Sequence, residues 1–311
     1  MPMMRLRPQR QKWMLWQYSQ QSCYAEPMMT DTNNNSIFSC TLSPRYTDLD
    51  NWRHVNNSRI YQLHQEARMR AHLHHFGADA WFSDDVRLRP LRTNTQFQQE
   101  TWYGQDIQAW VKVVSADRDS FHMHSELYQG GRLVGTQDAL MAATQQGQRI
   151  DLPEETLQSL SALATGDRIE LPEAGYLEQL DHAHNFPVRQ QLSARFSDID
   201  ADSQRSEAAL GRYMEQARFG GIRQLDFEGL RVMVAAVDIS FTDFHMSWTP
   251  IELASGISHI GNSSFHFTGC ALHKDEVQVA ARSVMVVINP ETGRPASLPR
   301  GLREQLEGWL I

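Results

Sequence analysis

The stretch that decides the fold is LSPRYTDLD at residues 42–50, because it occurs a second time in the chain. At residues 192–200, which is 150 positions later, the sequence reads LSARFSDID. Further along the offset shortens to 144, where Ser120-Phe121-His122 falls on Ser264-Phe265-His266. A period this long is far above that of a solenoid unit, so the pattern predicts the duplication of a whole domain.

Within each copy the apolar residues follow the same succession of periods. Alternation at residues 107–113 and 232–236 predicts strands, and Gly130-Gly131 predicts a hairpin turn. One helix followed by four or five antiparallel strands is an α+β unit whose sheet wraps around its helix. Steps of three and four place apolar side chains on one helix face in both copies, at Ile60, Leu63, Ala67 and Ala71 and at Leu210, Tyr213 and Ala217.

The repeat divides the chain into four parts. Residues 39–150 and 189–311 are the two predicted domains, and residues 151–188 form a connector with a short helix, rich in proline and glycine. Residues 1–38 mix Gln, Asn, Ser and Met without a period, so we expect a disordered N-terminal extension there.

Bulk properties exclude several classes of protein. The net charge of −8 disfavours a nucleic-acid binder, because such proteins present a basic face. The three cysteines are widely spaced and are expected to be free thiols in a reducing compartment. No apolar run approaches the roughly 20 residues that span a bilayer. We therefore expect a soluble, cytoplasmic protein with no nucleic-acid partner and no membrane span.

Two groups of histidines raise the question of a metal site. His72, His74 and His75 are close in sequence, and His122 and His124 alternate on one predicted strand. No nearby acid or cysteine completes a ligand set for either group. We therefore expect neither a metal nor a cofactor.

The first copy continues from the repeat into a specific signature. Residues 48–57 read DLDNWRHVNN, and the helix that follows contains Glu66-Ala67-Arg68. This resembles the DxDxxxHVNN…ExAR signature of hotdog acyl-CoA and acyl-ACP thioesterases, the 4-hydroxybenzoyl-CoA thioesterase-like superfamily. The ending from Asn289 to Pro299 resembles that of bacterial members with two fused hotdogs, so the resemblance covers residues 39–311. It implies a tandem of hotdog folds, two antiparallel sheets each wrapped around a central helix.

The residue types of this signature suit thioester hydrolysis. The reaction needs a carboxylate that activates water or attacks the carbonyl, and donors where the oxyanion forms. A helix N-terminus supplies free N–H groups and a positive dipole end. The resemblance implies that Asp50 is the catalytic carboxylate, that His54 orients or polarises, and that Asn56 binds the carbonyl or the helix turn. It also implies substrate contacts at Trp52, Val55 and Asn57.

The same residues have a structural interpretation that the sequence leaves open. Asp and Asn before a helix are preferred caps, and Glu66 and Arg68 could serve only a helix end or a sheet contact. The motif also departs from its relatives at two positions. Arg53 stands where many relatives have Gly before the histidine, and Trp52 stands where plant-type acyl-ACP thioesterases have Asn.

The second copy retains only part of the signature. It keeps Asp198 and Asp200 but has Gln204 in place of the histidine and Ser206-Glu207 in place of the asparagine pair. Glu207 is either a replacement carboxylate or a charge that favours the helix dipole. We therefore expect one principal site in the first copy and, at most, a degenerate second site at Asp200 and Glu207.

The sequence thus predicts a thioesterase acting on acyl-CoA or acyl carrier protein (ACP) thioesters, with the acyl chain in the groove between two joined hotdogs. The alternative is a non-catalytic hotdog module that binds acyl thioesters. A hotdog hydratase or dehydratase fits less well, because its Asp/His arrangement lies elsewhere in the domain. The sequence leaves open the acyl chain length, the carrier, the activity of the second copy, any homo-oligomer of double-hotdog units, and whether residues 1–28 belong to the natural protein.

Overall fold

The computed structural model describes residues 36–77, 86–169 and 171–311. The N-terminal extension was expected at residues 1–38, and residues 1–35 of it lie outside the described residues. Its last residues already belong to the first strand, which begins at Ile37, so the expected domain boundary at residue 39 is slightly late.

Apart from the short strand β6, the helices and strands occur in the same order in the two copies, which are called repeat 1 and repeat 2 below. Repeat 1 consists of β1 (Ile37–Leu42), α1 (Asn57–Phe76), β2 (Arg87–Phe97), β3 (Ile107–Ala116), β4 (Phe121–Gln129), β5 (Arg132–Gln145), β6 (Gln148–Ile150) and α2 (Glu154–Leu163). A 3-10 segment, Gly175–Asn185, leads into repeat 2. Repeat 2 consists of β7 (Val188–Leu192), α3 (Glu207–Ile222), β8 (Arg231–Phe241), β9 (Ile251–Ile260), β10 (Ser264–His273), β11 (Glu276–Ile288) and α4 (Arg300–Glu307).

The eleven strands of the described residues form one antiparallel sheet with an internal twofold arrangement. The strand order is β1-β3-β4-β5-β2-β8-β11-β10-β9-β7, with β6 paired to β5. Repeat 1 therefore supplies one half and repeat 2 the mirror order, and the halves meet where β2 pairs with β8. Asn94 faces Asp238 at the centre of that pair, with Arg92 opposite Ser240 on one side and Gln96 opposite Ala236 on the other.

Each half of the sheet wraps around its own long helix, α1 or α3. The predicted helix face is buried in repeat 1 at Ile60, Ala67 and Ala71, while Leu63 is partly buried. The tight hairpin between β4 and β5 is formed by Gly130 and Gly131, which have φ values of 58° and 75°. Positive φ at both central residues is what such a hairpin requires.

The helix predicted inside the connector is α2, and it packs on repeat 1. Leu160 of α2 is 1% exposed and belongs to the same apolar core as Val113 of β3. The helix α4 has the corresponding place at the end of repeat 2, where Leu302 and Leu306 are fully buried. The expectation of a tandem hotdog is therefore confirmed. Among the described residues, no helix is long and apolar enough to cross a membrane.

Candidate active site

The loop before α1 is closed by the second aspartate of the DxD pair. Oδ1 of Asp50 accepts hydrogen bonds from the backbone N–H groups of Trp52 (2.8 Å) and His54 (3.2 Å). The backbone N–H of Asp50 donates to the carbonyl of His54 (2.9 Å), and Leu49 bridges to Val55. None of the residues that the structure describes donates to Oδ2 of Asp50, so one carboxylate oxygen remains available to a ligand or water.

Closing this loop forces one residue into the left-handed region. Arg53 has a φ of 68°, a conformation that glycine adopts at little cost and other residues rarely adopt. The glycine that many relatives carry before the histidine therefore has a backbone explanation. Ser203 occupies the same place in repeat 2 with a φ of 57°.

The first aspartate of the pair, Asp48, has a structural role. Its side chain is buried, and Oδ2 accepts from the backbone N–H of Arg45 at 2.7 Å. Its carbonyl accepts from the backbone N–H of Asn56 at 2.9 Å, which ties the loop to the start of α1. In repeat 2, Asp198 accepts from the backbone N–H of Arg195 at 3.0 Å in the same way.

The start of α1 combines a cap with an open donor. Oδ1 of Asn56 accepts from the backbone N–H (2.7 Å) and the hydroxyl (2.8 Å) of Ser58, which makes Asn56 the N-cap. The backbone N–H of Asn57 donates to none of the residues described. It lies at the positive end of a 20-residue helix, where an oxyanion would be stabilised.

His54 is held by Glu100, which sequence reasoning missed, and by Trp102, which the sequence indicates only as a residue of the core or of the acyl groove. Its Nε2 lies 3.6 Å from Oε2 of Glu100. Its ring packs edge-to-face on Trp102, with ring centroids 4.6 Å apart. Both residues follow β2, and Thr101 between them accepts a hydrogen bond from the backbone N–H of Val55 (2.8 Å). No motif in the sequence indicates this contact, because it arises from the packing of two loops.

The remaining predicted substrate contacts have different surroundings. The side chain of Val55 is 4% exposed and belongs to the core of repeat 1, so only its backbone lies in the loop. Trp52 is 54% exposed, and the guanidinium of Arg231 stacks over its ring at 4.5 Å. Arg231 begins β8, so repeat 2 contributes to the surroundings of the repeat 1 loop.

The corresponding loop of repeat 2 has the same backbone geometry but is closed by arginines. Oδ1 of Asp200 accepts from the backbone N–H groups of Asp202 (2.9 Å) and Gln204 (3.2 Å). Its Oδ2 is bound by Nη1 of Arg89 at 2.6 Å. Asp202 pairs with Arg89 at 2.5 Å and with Arg87 at 2.6 Å.

The difference between the two loops follows from the strand that faces each of them. Arg87 and Arg89 begin β2, and the corresponding residues of β8 are Arg231 and Met233. Methionine cannot neutralise a carboxylate, so among the described residues Asp50 has no counterpart of the ion pair that holds Asp200. The offset of 144 residues aligns these strands in the sequence, and that alignment could have indicated the contrast.

Glu207, the other residue of the expected second site, is engaged elsewhere. It is 4% exposed and forms a 2.5 Å ion pair with Arg68, which is 1% exposed. It also accepts a hydrogen bond from the Tyr61 hydroxyl at 2.5 Å. Arg68 and Tyr61 belong to α1, so Glu207 joins the two long helices. The ExAR arginine of the signature therefore makes a contact between the repeats.

A narrow crevice with a volume of about 20 Å³, room for little more than one water molecule, lies between α1 and α3. Asn57 and Ser58 are at one end of its lining, next to the candidate site. Most of the lining is apolar, and Arg212, Glu215 and Arg218 of α3 supply its charges. The other lining residues are Tyr61, Phe97, Ala208, Gly211, Met214, Val237 and Ile239.

The histidines of β4 form hydrogen bonds rather than a ligand set. His122 and His124 both contact Oδ1 of Asp138, at 2.9 and 2.8 Å. Hydrogen bonds from both histidines outweigh burial and lower the pKa of Asp138 to about 2. Within residues 36–77, 86–169 and 171–311, no group of three or more His, Cys, Asp or Glu side chains is arranged to hold a metal ion.

Comparison with known proteins agrees with this fold. Residues 44–160 match the family model of the thioesterase-like superfamily. No curated protein matches the chain. The 12:0-ACP thioesterase from Umbellularia californica superposes with a TM-score of 0.67 at 8% identity, over 83% of this chain and 96% of that chain. A Lactobacillus plantarum protein assigned as an oleoyl thioesterase gives 0.67 at 12% identity, over 83% and 98%.

A third structure, an acyl-ACP thioesterase from Bacteroides thetaiotaomicron, superposes with a TM-score of 0.59 at 12% identity, over 81% of this chain and 98% of that chain. At these identities the likeness establishes the fold. The two repeats together form the tandem hotdog fold of these solved structures.

Proposed function

We propose that this protein hydrolyses acyl-CoA or acyl-ACP thioesters at one principal site, in the loop of repeat 1 centred on Asp50. The observation that carries the proposal is the contrast between two aspartates in equivalent loops. Asp200 has both carboxylate oxygens engaged, one by its own loop and one by Arg89. Asp50 uses one oxygen for its loop, and none of the described residues donates to the other.

The chemistry assigned to the site uses groups already placed around the loop. The Asp50 carboxylate takes a proton from a water molecule, and the resulting hydroxide attacks the thioester carbonyl carbon. The backbone N–H of Asn57 stabilises the oxyanion at the start of α1. The carbon–sulfur bond then breaks, the protonated Asp50 returns its proton to the leaving thiolate, and the acid is released. His54, held by Glu100 and Trp102, orients the thioester or the water.

The acyl chain is assigned to the crevice between α1 and α3, which must widen to admit it because its volume is only about 20 Å³. Its lining begins at Asn57, next to the proposed reacting carbonyl, and continues along apolar side chains such as Phe97, Met214 and Ile239. Burial of an acyl chain there would be favoured by about 0.8 kcal/mol for each CH₂ group. Arg231, stacked on Trp52 at the outer side of the loop, is suited to an anionic carrier, either CoA or ACP.

The variants Asp50→Asn and Asp200→Asn test the proposal as a matched pair. Asparagine retains Oδ1, so each loop keeps an acceptor for its two backbone N–H groups. We expect Asp50→Asn to lower kcat on acyl-CoA by about 10²–10⁴-fold with little change in binding, because only the base is removed. Asp200→Asn should leave kcat unchanged and lower the free energy of unfolding by about 1.5–3 kcal/mol, because Arg89 loses a charged partner.

A second variant copies the inactive arrangement of repeat 2 into repeat 1. Met233→Arg places a guanidinium where Arg89 lies in the other half, so it should pair with Asp50 and abolish turnover without unfolding the protein. Met233→Gln is the neutral control and should retain activity. Wild-type turnover in Asp50→Asn would refute the mechanism. Absence of turnover by the wild-type protein on acyl-CoA and acyl-ACP of graded chain length would favour the non-catalytic binding module.

A further inference from the structure

The two long helices are related by the repeat but differ where they face each other. The offset of 150 residues aligns Asn57 with Glu207, and it aligns Arg68 with Arg218. It also aligns Tyr61 of α1 with Gly211 of α3, and a Cβ at Gly211 would lie 3.5 Å from the Tyr61 ring. Where the two helices cross, α1 therefore contributes the large side chain of Tyr61, and α3 has no side chain at the matching position, Gly211.

In one half of this crossing the space is filled and the charges are balanced. The buried Arg68 guanidinium is paired with Glu207 and donates to Oε1 of Gln137 at 3.1 Å. The Tyr61 hydroxyl donates to the same Glu207 carboxylate at 2.5 Å. The protein itself therefore supplies this arginine with a carboxylate, an amide oxygen and the sulfur of Met141 as acceptors.

In the other half the corresponding arginine lacks both partners. Arg218 is 8% exposed, and its Nη1 donates to the Ser283 hydroxyl at 3.0 Å. Asn57 replaces the glutamate and Gly211 replaces the tyrosine, and the space left beside them is part of the crevice that Arg218 lines. Glu215, one turn earlier on α3, also lines the crevice but forms no ion pair with Arg218.

A buried cation that forms no ion pair with any described residue is costly, since the desolvation of its charge is repaid only in part. Burial accordingly lowers the pKa of Arg218, with Glu215 acting in the opposite direction. A guanidinium binds carboxylates in a planar, two-pronged geometry, and the remaining N–H groups of Arg218 donate to none of the described residues. Compared with the surroundings of Arg68, the crevice beside Arg218 thus lacks one carboxylate.

We propose that the crevice binds the carboxylate of an acyl ligand on the Arg218 guanidinium, in the position that Glu207 takes beside Arg68. The proposal rests on the proposed function for its ligand class. The carboxylate has two chemical sources. It is either the distal group of a dicarboxylic acyl thioester or the group released on a simple acid product.

Direct binding tests the site without requiring turnover. Isothermal titration of the wild-type protein with octanoate, suberate and the neutral octanamide should show binding of the two acids and at least about 10-fold weaker binding of the amide. Arg218→Gln should bind the two acids more weakly by a similar factor, and Arg218→Lys should retain part of the affinity. Arg212→Gln is the matched control, because Arg212 lines the same crevice but pairs with Asp198 at 3.5 Å.

A second variant changes the side of the crevice that α1 forms. Asn57→Glu supplies from α1 the carboxylate that Glu207 supplies from α3, so it should block binding of the acids and raise the Tm. Acid binding that is unchanged in both Arg218→Gln and Asn57→Glu would overturn the proposal, as would a loss confined to Arg212→Gln.

Kinetics with thioesters distinguishes the two sources. A distal carboxylate predicts that kcat/KM for suberyl-CoA exceeds that for octanoyl-CoA by at least about 10-fold, and that Arg218→Gln abolishes the preference. A product site predicts no such preference but competitive inhibition by octanoate that Arg218→Gln relieves. If the protein binds acids through Arg218 but does not hydrolyse thioesters, the proposed hydrolase function is rejected and the carboxylate site stands. If it hydrolyses thioesters but does not bind acids through Arg218, the carboxylate site is rejected and the hydrolase function stands.

Discussion

The loop that presents Asp50 carries backbone strain at a single residue, Arg53. Its left-handed conformation costs a non-glycine residue about 1–2 kcal/mol, whereas glycine adopts it freely but loses about 0.5–1 kcal/mol in chain entropy. We therefore expect Arg53→Gly to raise the free energy of unfolding by up to about 1 kcal/mol, measured by urea denaturation.

Two controls separate the backbone effect from loss of the guanidinium. Arg53→Ala removes the charge but keeps a Cβ, so it should leave stability unchanged. Ser203→Gly changes the matching position of repeat 2 and should stabilise by a similar amount, since Ser203 has nearly the same φ. Equal stabilisation by Arg53→Ala and Arg53→Gly would show that the side chain, rather than the backbone, is the source.

At the residue scale, local sequence was sufficient for the loop and insufficient for its surroundings. The DxD and HVNN residues are close in the chain, so their turn and helix start follow from cap preferences and the repeat. The ion pair of Asp200 with Arg89 joins residues 111 positions apart, and its existence depends on how β2 crosses to the other repeat. The assignment of Asp50, His54 and Asn56 as catalytic stays a prediction for the same reason.

At the scale of helix and strand, α1 rests on β4 through a buried neutral histidine. His64 is fully buried, and its Nδ1 lies 2.8 Å from the Ser125 hydroxyl. Burial is the largest cause that lowers the pKa of His64 to about 3, with Arg68 and His124 lowering it further and Asp138 opposing them. In the unfolded chain this histidine has an ordinary pKa near 6.5.

The sign of the resulting pH dependence follows from proton uptake. Below about pH 6.5 the unfolded chain binds a proton at His64 that the folded protein does not bind. Stability from this group is therefore complete above pH 6.5 and falls toward pH 3, by at most about 1.4 kcal/mol per pH unit. We expect the unfolding free energy of His64→Gln to decline less steeply than that of the wild type between pH 6.5 and 5.

The matched control for this prediction is Ser125→Ala. It removes the hydrogen-bond partner of His64 but leaves the titrating ring, so the protein should be less stable at every pH and keep the wild-type slope. Identical slopes in wild type and His64→Gln would mean that His64 is not held neutral by the fold.

The helices and strands were largely predictable, because the helical period and the strand alternation of apolar residues are both strong and each occurs in both repeats. Alternation in β3 gives a buried face at Ile107, Ala109, Val111 and Val113, as the sequence indicates. The polar residues inside α1 were not predictable in the same way. His64 and Arg68 interrupt the apolar helix face, and their burial depends on partners in other elements, namely Ser125 and Glu207.

At the scale of the whole molecule, the two repeats are joined by polar contacts as well as by the continuous sheet. The Arg92 guanidinium binds Asp238 across the β2–β8 pair, and Nδ2 of Asn94 donates to the same carboxylate at 3.1 Å. The Tyr176 hydroxyl, from the segment between the repeats, donates to Asp238 at 3.0 Å. Apolar contact is added by Phe97, which packs against the cores of both repeats.

The Arg68–Glu207 pair is the buried link between the two long helices, and it makes the sharpest prediction at this scale. Glu207→Gln leaves a fully buried guanidinium without its counter-ion, so we expect a loss of about 3–5 kcal/mol in the free energy of unfolding. Glu66→Gln is the control within the same signature. Glu66 pairs with Arg70 while about half exposed, and breaking that pair should cost less than about 1 kcal/mol.

A double variant then distinguishes an uncompensated charge from a loss of packing. Arg68→Met combined with Glu207→Leu removes both charges and replaces them with apolar side chains of similar reach, so most of the stability lost in Glu207→Gln should return. Recovery would show that the pair is kept for the geometry it imposes on α1 and α3 rather than for stability. A double variant as unstable as Glu207→Gln would instead show that the ion pair itself stabilises the junction. Asn57 lies at the start of α1, the helix that carries Arg68. If the double variant regains stability but has an altered kcat, the contact between α1 and α3 also sets the position of the Asp50 loop.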